Sequence, residues 1–385
     1  MPLRTRRARL ITPAFLLIAA ASLAYFTAAG LTLPGVPRYV EGPLGGSNTA
    51  VGLAVGSFSV TAVLFRPWAG RLGDRRGRRL LMVGGAAIVG LSVIGYLTPS
   101  LAGLVVFRLL SGFGEAFFFT GAAAAIADLA PEERRGEAVS FFTLALYLGI
   151  GIGPFLGEEL IDAVGFEETW LLTAALCGVA TLMAAFIPET RPPGTAEHRP
   201  ARLIHPAAIR PGTALLTSVW AQAALFSFMP LYALTLGLSG SRFVFIMYAA
   251  IVVLIRSFGA RIPDVVGPVR ASRFALAFSM TGLALVALWR SPGGLFVGTA
   301  VLAVGSSLAF PALMTLALRG TDPTERGTVL GTFGAFVDVA FGLGPATLGV
   351  VGDALGYRGL FLGAAAVAAM GLLLLLGSYR DWASA

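Results

Sequence analysis

The sequence predicts an all-α membrane protein whose twelve transmembrane helices form two pseudo-symmetric six-helix bundles. Three observations carry that prediction. First, 56% of the 385 residues are hydrophobic and 12% are charged. That is about half the charge of a soluble domain, where roughly 25% of residues are charged, so most of the surface has to face lipid. Second, Gly, Pro and Arg punctuate the chain into twelve apolar stretches, each near the roughly 20 residues that a helix needs to cross the hydrocarbon core. Third, the chain repeats at an offset of 190 or 191 residues. Arg66, Arg71, Asp74 and Gly77 return as Arg256, Arg261, Asp264 and Gly267, and Gly136, Gly153-Pro154 and Gly165 return as Gly327, Gly344-Pro345 and Gly356. Halves matched in charges and breakers usually hold a substrate site between them, near the bilayer midplane.

In chain order the predicted spans cover 12–36, 48–70, 79–98, 101–128, 137–162 and 168–187, then 211–236, 242–261, 271–290, 293–318, 327–352 and 358–379. Arg4, Arg6, Arg7 and Arg9 ahead of the first run imitate a secretion signal. The run is too long for one and eleven more follow, so it reads as an uncleaved first span. The Pro- and Arg-rich stretch 188–210 joins an N-terminal bundle (1–187) to a C-terminal bundle (211–385), as a tether with little structure of its own. Arginines concentrate in alternate loops: one side holds the four N-terminal ones, Arg71, Arg75, Arg76, Arg78, Arg79, Arg134 and Arg135, then Arg191, Arg199, Arg202, Arg210, Arg261, Arg270, Arg273, Arg319, Arg326 and Arg380, whereas the other holds only Arg38, Arg242, Arg290 and Arg358. By the positive-inside rule both termini are cytoplasmic, in a cell (inner) membrane. A monomer is expected.

The net charge of +8 follows this topology, so no nucleic-acid partner is implied. All 28 basic residues are Arg, which excludes a Walker-type phosphate loop and a Schiff-base lysine. Cys177 is alone, and His198 and His205 both sit in the linker, leaving no metal site, no disulfide and no catalytic triad. Gly149-x-Gly151-x-Gly153-Pro154 fails as a dinucleotide fingerprint because Pro154 replaces its last glycine. The chain reads as a non-enzyme without cofactor.

Gly70-Arg71-Leu72-Gly73-Asp74-Arg75-Arg76-Gly77-Arg78-Arg79 resembles the signature loop between helices 2 and 3 of the major facilitator superfamily. The resemblance implies the twelve-helix facilitator fold, and a cytoplasmic network of Gly70, Arg71, Asp74, Arg75, Gly77 and Arg78 that latches the two halves, with Asp128 as its acidic partner on helix 4. A solvated basic loop serving only topology is the plainer alternative. Arg108-Leu109-Leu110-Ser111-Gly112-Phe113-Gly114 resembles the helix 4 motif of the family, whose Arg is linked to proton transfer. Glu115 lies seven residues on, about two turns along the same face, too far for direct contact. A span pays dearly for an unpartnered charge, so both are expected to point into the bundle.

Gly149, Gly153, Pro154 and Gly157 resemble the helix 5 motif of the drug–proton antiporter branch, implying a dry helix seam between cavity and outside. The pattern departs at Glu158-Glu159, read here as a solvated helix end. Asp338 falls near the middle of helix 11, and its repeat counterpart is Tyr147, so symmetry alone does not explain the acid. Arg66 and Arg256 are expected to snorkel toward the inner face. Glu115, Asp338 and Arg108 are thus the proton-coupling candidates, because burial disfavours the charged form of a carboxyl.

One Asn and one Gln in the whole chain disfavour sugar recognition. The candidate cavity wall is aromatic: Tyr25, Phe26, Phe113, Phe117, Trp220, Phe226, Phe228 and Phe310, with Gln222, Ser306 and Ser307 as polar exceptions. Such walls suit an amphipathic cargo. The expected activity is secondary active transport: proton-coupled export of small amphipathic or hydrophobic compounds by alternating access, with cargo, protons and lipid as partners. The alternative is an importer or uniporter of a small metabolite.

Overall fold

A computed structural model describes residues 11–131, 134–191, 204–258, 265–321 and 325–377. The N-terminal arginines, linker residues 192–203, Arg261, Asp264 and Arg380 lie outside the described residues. The helices are α1 (Pro13–Glu41), α2 (Asn48–Arg76), α3 (Arg78–Ile94), α4 (Leu101–Leu129), α5 (Arg135–Val164), α6 (Phe166–Ala185), α7 (Pro206–Thr235), α8 (Arg242–Phe258), α9 (Pro268–Leu288), α10 (Pro292–Leu318) and α11 (Arg326–Gly377). Ten are long and apolar enough to cross a membrane, α8 at 17 residues being the exception. The last, at 52 residues, would rise about 78 Å if straight, more than twice the thickness of the hydrocarbon core. It breaks at Gly356, whose φ of 67° and ψ of −177° are not helical, into two limbs. Twelve helical stretches result among the described residues.

The repeat seen in the sequence is a repeat of backbone devices. Ser100 and Ser291, 191 apart, each cap the helix that follows, accepting from the amides of Gly103 and Gly294. Gly165 (φ 92°) and Gly356 (φ 67°) turn the chain at matching positions, in a region that only glycine enters freely. Helices overrun the predicted spans at most ends, because backbone hydrogen bonding does not stop where the apolar run does. α7 begins at Pro206 rather than 211, its first free amides served by His205 Nδ1, which accepts from Ala207. Outward-facing side chains such as Leu64, Leu91, Leu182 and Leu373 are 63–68% exposed, as a lipid-facing wall requires.

Within the first half α1 packs on α5 and α3 on α4; within the second, α7 packs on α11 and α9 on α10. Between them, α2 meets α11 and α5 meets α8. The α2–α11 seam is tight near the Arg-poor loops. A Cβ on Gly52 would collide with the carbonyl of Pro345, one on Gly56 with that of Gly342, and one on Gly349 with that of Asn48. Toward the Arg-rich loops the same helices diverge: a Cβ on Gly70, Gly331 or Gly334 would meet no atom. Small residues set close approach in membranes, where dispersion replaces the hydrophobic drive. Gly52→Val should therefore lower the melting temperature in detergent by an amount equivalent to about 1–3 kcal/mol of overpacking, while Gly70→Ala leaves it unchanged or slightly raised. Equal effects of the two would contradict the tapered seam.

Candidate functional site

Arg66 stands midway along the α2–α11 seam. One guanidinium nitrogen lies 3.1 and 3.3 Å from the two carboxylate oxygens of Glu115 on α4. Another lies 3.1 Å from Asp338 on α11, and the guanidinium carbon sits 4.8 Å from the centre of the Phe119 ring. The side chains keep partial access, 28% for Arg66 and 13% for each acid. An arginine inside a span costs about 2.5–3.5 kcal/mol unless partnered, and here it has two carboxylates. With both acids ionised the cluster holds one excess negative charge, so a single proton makes it neutral. Arg66 and Glu115 belong to the first half and Asp338 to the second, which makes Arg66–Asp338 an ionic bond across the seam. Snorkelling to the inner face, expected for Arg66, does not occur: two buried acids hold its charge more strongly than the distant interface.

The second seam carries the repeat counterpart with a difference. Arg256 of α8 lies with its guanidinium carbon 4.3 Å from the centre of the Tyr147 ring on α5. Among the described residues no carboxylate pairs with it, and its Nε is buried without a partner. It too is held inside, by a ring that returns about 0.5–2 kcal/mol.

Arg108 does not join this cluster. Buried on α4, it donates to the carbonyls of Ala54 (3.1 Å) and Val55 (3.3 Å), meets the Tyr96 hydroxyl at 3.5 Å and covers Phe58. It pins α4 to α2 and touches neither coupling candidate. Phe113 and Phe117 also leave the chamber. Each lies two residues, about 200° around the helix, from Glu115, and they pack on Phe65 and Trp68 in the flank of the α2–α4 contact. Tyr25 and Phe26 do face the cluster: Tyr25 stacks on Phe118 at 3.9 Å between centroids and lies within electrostatic reach of Glu115 and Arg66, and Phe26 meets Phe119 edge-on. Phe226 stacks on Phe245 and touches Tyr248 and Phe341. Ser306 is buried beside Tyr248; Gln222 is half-buried, Trp220 packs on Gly344, and Phe310 packs on Phe333.

At the Arg-poor end both seams close by one device, a carboxylate on the free amides that begin a helix of the other half. Asp353 accepts from the amides of Asn48 (2.8 Å) and Thr49 (3.0 Å) at the start of α2. Glu158 accepts from the amides of Ser241 (2.8 Å) and Arg242 (2.7 Å) and from the Ser241 hydroxyl (2.6 Å) at the start of α8. Arg242 also meets Glu159 and Asp162, and Arg38 meets Asp162 at 2.8 Å. Glu158 was expected at a solvated helix end; it is fully buried, because an opposing helix supplies donors that replace water.

The profile of the Major Facilitator Superfamily matches residues 17–294 and 264–381. The chain belongs to the major facilitator superfamily. An uncharacterised transporter of this type from Salmonella typhimurium is 33% identical over 383 residues, covering 96% of this chain and 97% of its own. The staphylopine export protein of Staphylococcus aureus is 27% identical over 342 residues, 83% of this chain and 84% of its own. Among solved structures, a bacterial homologue of the human lysosomal transporter Spinster, inward-facing and unoccupied, superposes with a TM-score of 0.82 at 14% identity, over 96% of this chain and 97% of that one. The protein is a multi-pass membrane transporter of the facilitator type.

In the facilitator signature loop, Arg78 pairs with Asp74 at 2.6 Å and with Asp128 at 3.2 Å. Gly77, at φ 105°, leaves room for Glu189, which accepts from the amides of Arg78, Thr190 and Arg191. Arg191 donates to the carbonyls of Asp74 and Arg75; Arg71 and Arg75 are exposed, and Gly70 is half-buried. Every described contact of the loop thus stays within the first half and the start of the linker, and none reaches a described residue of the second half. The helix 5 glycines likewise serve packing inside the first half: Gly149, Gly153 and Gly157 face Phe26, Gly30 and Leu31 of α1, and Pro154 faces Gly30.

Two outcomes follow from these contacts. With Cys177→Ser as background, spin labels at Glu41→Cys and Ala354→Cys should move apart when Glu158→Ala and Asp353→Ala are combined, since both clamps are then gone; an unchanged distance distribution would refute the clamp reading. Burial alone would push the Glu189 carboxyl up, but the amides of Arg78, Arg191, Arg79 and Thr190 outweigh it and hold it below the usual carboxylate range. Its contribution to stability is therefore complete above the ordinary carboxylate value of about 4.3 and is lost as pH falls through the lowered one. The melting-temperature gap between the protein and Glu189→Gln should be constant near neutrality and close only in that acid window.

Proposed function

We propose that the protein is a proton-coupled exporter of small amphipathic or hydrophobic compounds, working by alternating access as a monomer in the inner membrane with both termini in the cytoplasm. The observation that carries this reading is the Arg66–Glu115–Asp338 cluster, one proton short of neutrality and bonded across the seam that has to move. Residues 1–187 and 211–385 act as the two rocking bundles, with 188–210 as tether. The divergence of α2 and α11 toward the Arg-rich loops is consistent with a chamber open to the cytoplasm, where cargo enters. Aromatic walls at Tyr25, Phe26 and Phe226 suit apolar parts of a cargo. Similarity to an export protein, 27% identical, supports the outward direction.

In this reading the two acids share one proton, and the choice between them has a mechanical meaning. A proton on Glu115 neutralises a pair inside the first half. A proton on Asp338 cancels the charge that Arg66 holds across the seam, so Asp338 is the acid that releases the halves and Glu115 retains the arginine. The drug–proton antiporter resemblance fits this exchange, with Arg108 confined to helix packing.

The test uses proteoliposomes with an imposed pH gradient and a panel of amphipathic fluorophores that are cationic, neutral or anionic. At least one should move against its gradient when protons flow, and Glu115→Gln or Asp338→Asn should each reduce that movement by about tenfold or more, the general scale of removing one proton-transfer group. Transport that is equally fast without a proton gradient would favour the uniporter alternative and overturn the coupling.

A further inference from the structure

We infer that Arg256, with Tyr147 beneath it, is the binding point for a negatively charged group on the cargo, such as a carboxylate or a phosphate monoester. The inference deepens the transport reading by naming a substrate class, and it rests on that reading for the site's purpose.

The argument is a comparison of the two seams. Arg66 and Arg256 occupy equivalent repeat positions, as do Asp338 and Tyr147. In the α2–α11 seam the arginine finds the acid of the other half at 3.1 Å. In the α5–α8 seam the acid's place is taken by a phenol ring, 4.3 Å below the guanidinium. The ring offsets only part of the cost of the half-buried cation and engages its face, and no carboxylate among the described residues pairs with its edge. That edge is where a guanidinium presents its paired N–H donors to a carboxylate or phosphate. The Nε of Arg256 is buried without a partner, as is that of Arg66, but among the described residues only Arg66 has carboxylates on its other nitrogens. An ionisable residue inside a span is by default a functional-site hypothesis, the more so when no carboxylate of the protein neutralises it.

The neighbours fit an amphipathic anion. Tyr248 lies one face along α8, within electrostatic reach of both Tyr147 and Arg256, and its ring meets Phe226 edge-on at 5.4 Å. A cargo whose anionic group meets Arg256 has aromatic surface for its apolar body. The arrangement also separates the tasks: the proton cluster has its own cation, already neutralised by two acids, so cargo and proton address different arginines.

The test is equilibrium binding to the purified full-length protein in detergent, with no gradient and no transport. The probes are aromatic and alkyl carboxylates and phosphate monoesters, each paired with a neutral amide or alcohol of the same shape. At least one anion should bind roughly tenfold or more tightly than its neutral twin, as expected for a charge-assisted contact. That preference should vanish in Arg256→Gln. It should also vanish in Tyr147→Asp, which gives Arg256 the internal partner that Arg66 has, and persist in Tyr147→Phe, which keeps the ring. Thermal unfolding of each variant without probe shows that it is folded, and Tyr147→Asp serves if Arg256→Gln is not. No anion in the panel outbinding its twin, or a preference that survives in Arg256→Gln and Tyr147→Asp, would overturn the assignment. Because the readout is binding alone, Arg256 can fail while gradient-driven transport through Glu115 and Asp338 stands, and the reverse.

Discussion

A guanidinium that never loses its proton, placed midway through a membrane bundle, dictates much of what surrounds it. Arg66 cannot reach water cheaply and cannot be neutralised by giving up a proton, so the fold has to bring acids to it. Glu115 comes from α4 and Asp338 from α11. For Asp338 to arrive, the two helices must pack tightly on one side of the cluster, which explains Gly52 and Gly56 against Pro345 and Gly342. The excess acid then leaves a charge imbalance that a low-dielectric interior tolerates poorly. A proton is the smallest correction available, and in the proposed mechanism the place where it lands decides whether the two halves stay bonded.

The pseudo-symmetry has limits that are informative. Caps, turns and seam clamps repeat between halves: Ser100 with Ser291, Gly165 with Gly356, and carboxylates on the first amides of α2 and α8. These are requirements of any helix that ends or meets a neighbour, and they apply equally to both halves. The centre of the seams does not repeat, with Asp338 facing one arginine and Tyr147 the other. Symmetry persists where the fold needs it and breaks where two charges have different work.

Much of this was legible from residues alone. The repeat, the breakers and the arginine asymmetry fixed twelve stretches and their order, because glycine, proline and charge act locally on a helix in lipid. Glu115 and Asp338 stood out for the same reason, each being expensive where it is. Partners were harder to read. Periodicity gives the angle at which a side chain leaves its helix, yet it does not say which helix stands opposite. Arg66 therefore looked like a snorkelling residue although its partner was 49 positions away. Arg108 looked like a proton-coupling residue although carbonyls of α2 satisfy it, and Glu158 looked solvated although α8 covers it. Phe113 and Phe117 show the finer limit: being aromatic and close in sequence to Glu115 placed them near the site, and a 200° turn, by the roughly 100° per residue of an α-helix, removed them.

The energetics of opening differ along a single seam, and that difference assigns the proton its place. At the Arg-poor end the Glu158 clamp of the α5–α8 seam is buried, whereas the clamp of the α2–α11 seam joins exposed Asp353 to Asn48 and Thr49, which water can reach. When such a clamp parts, water replaces each lost bond, so the net change is small. Arg66 and Asp338, at 28% and 13% exposure, have less of that substitute, since parting them leaves two poorly hydrated charges at once. Two conformations interconvert usefully only when they differ by a few kcal/mol. The rim already meets that condition, whereas the centre meets it only if one member of the pair is neutral. Arg66 cannot be the neutral member. In the proposed mechanism the burden falls on Asp338, and a carboxyl at the seam's midpoint, rather than at its wet rim, would tie movement of the halves to a proton.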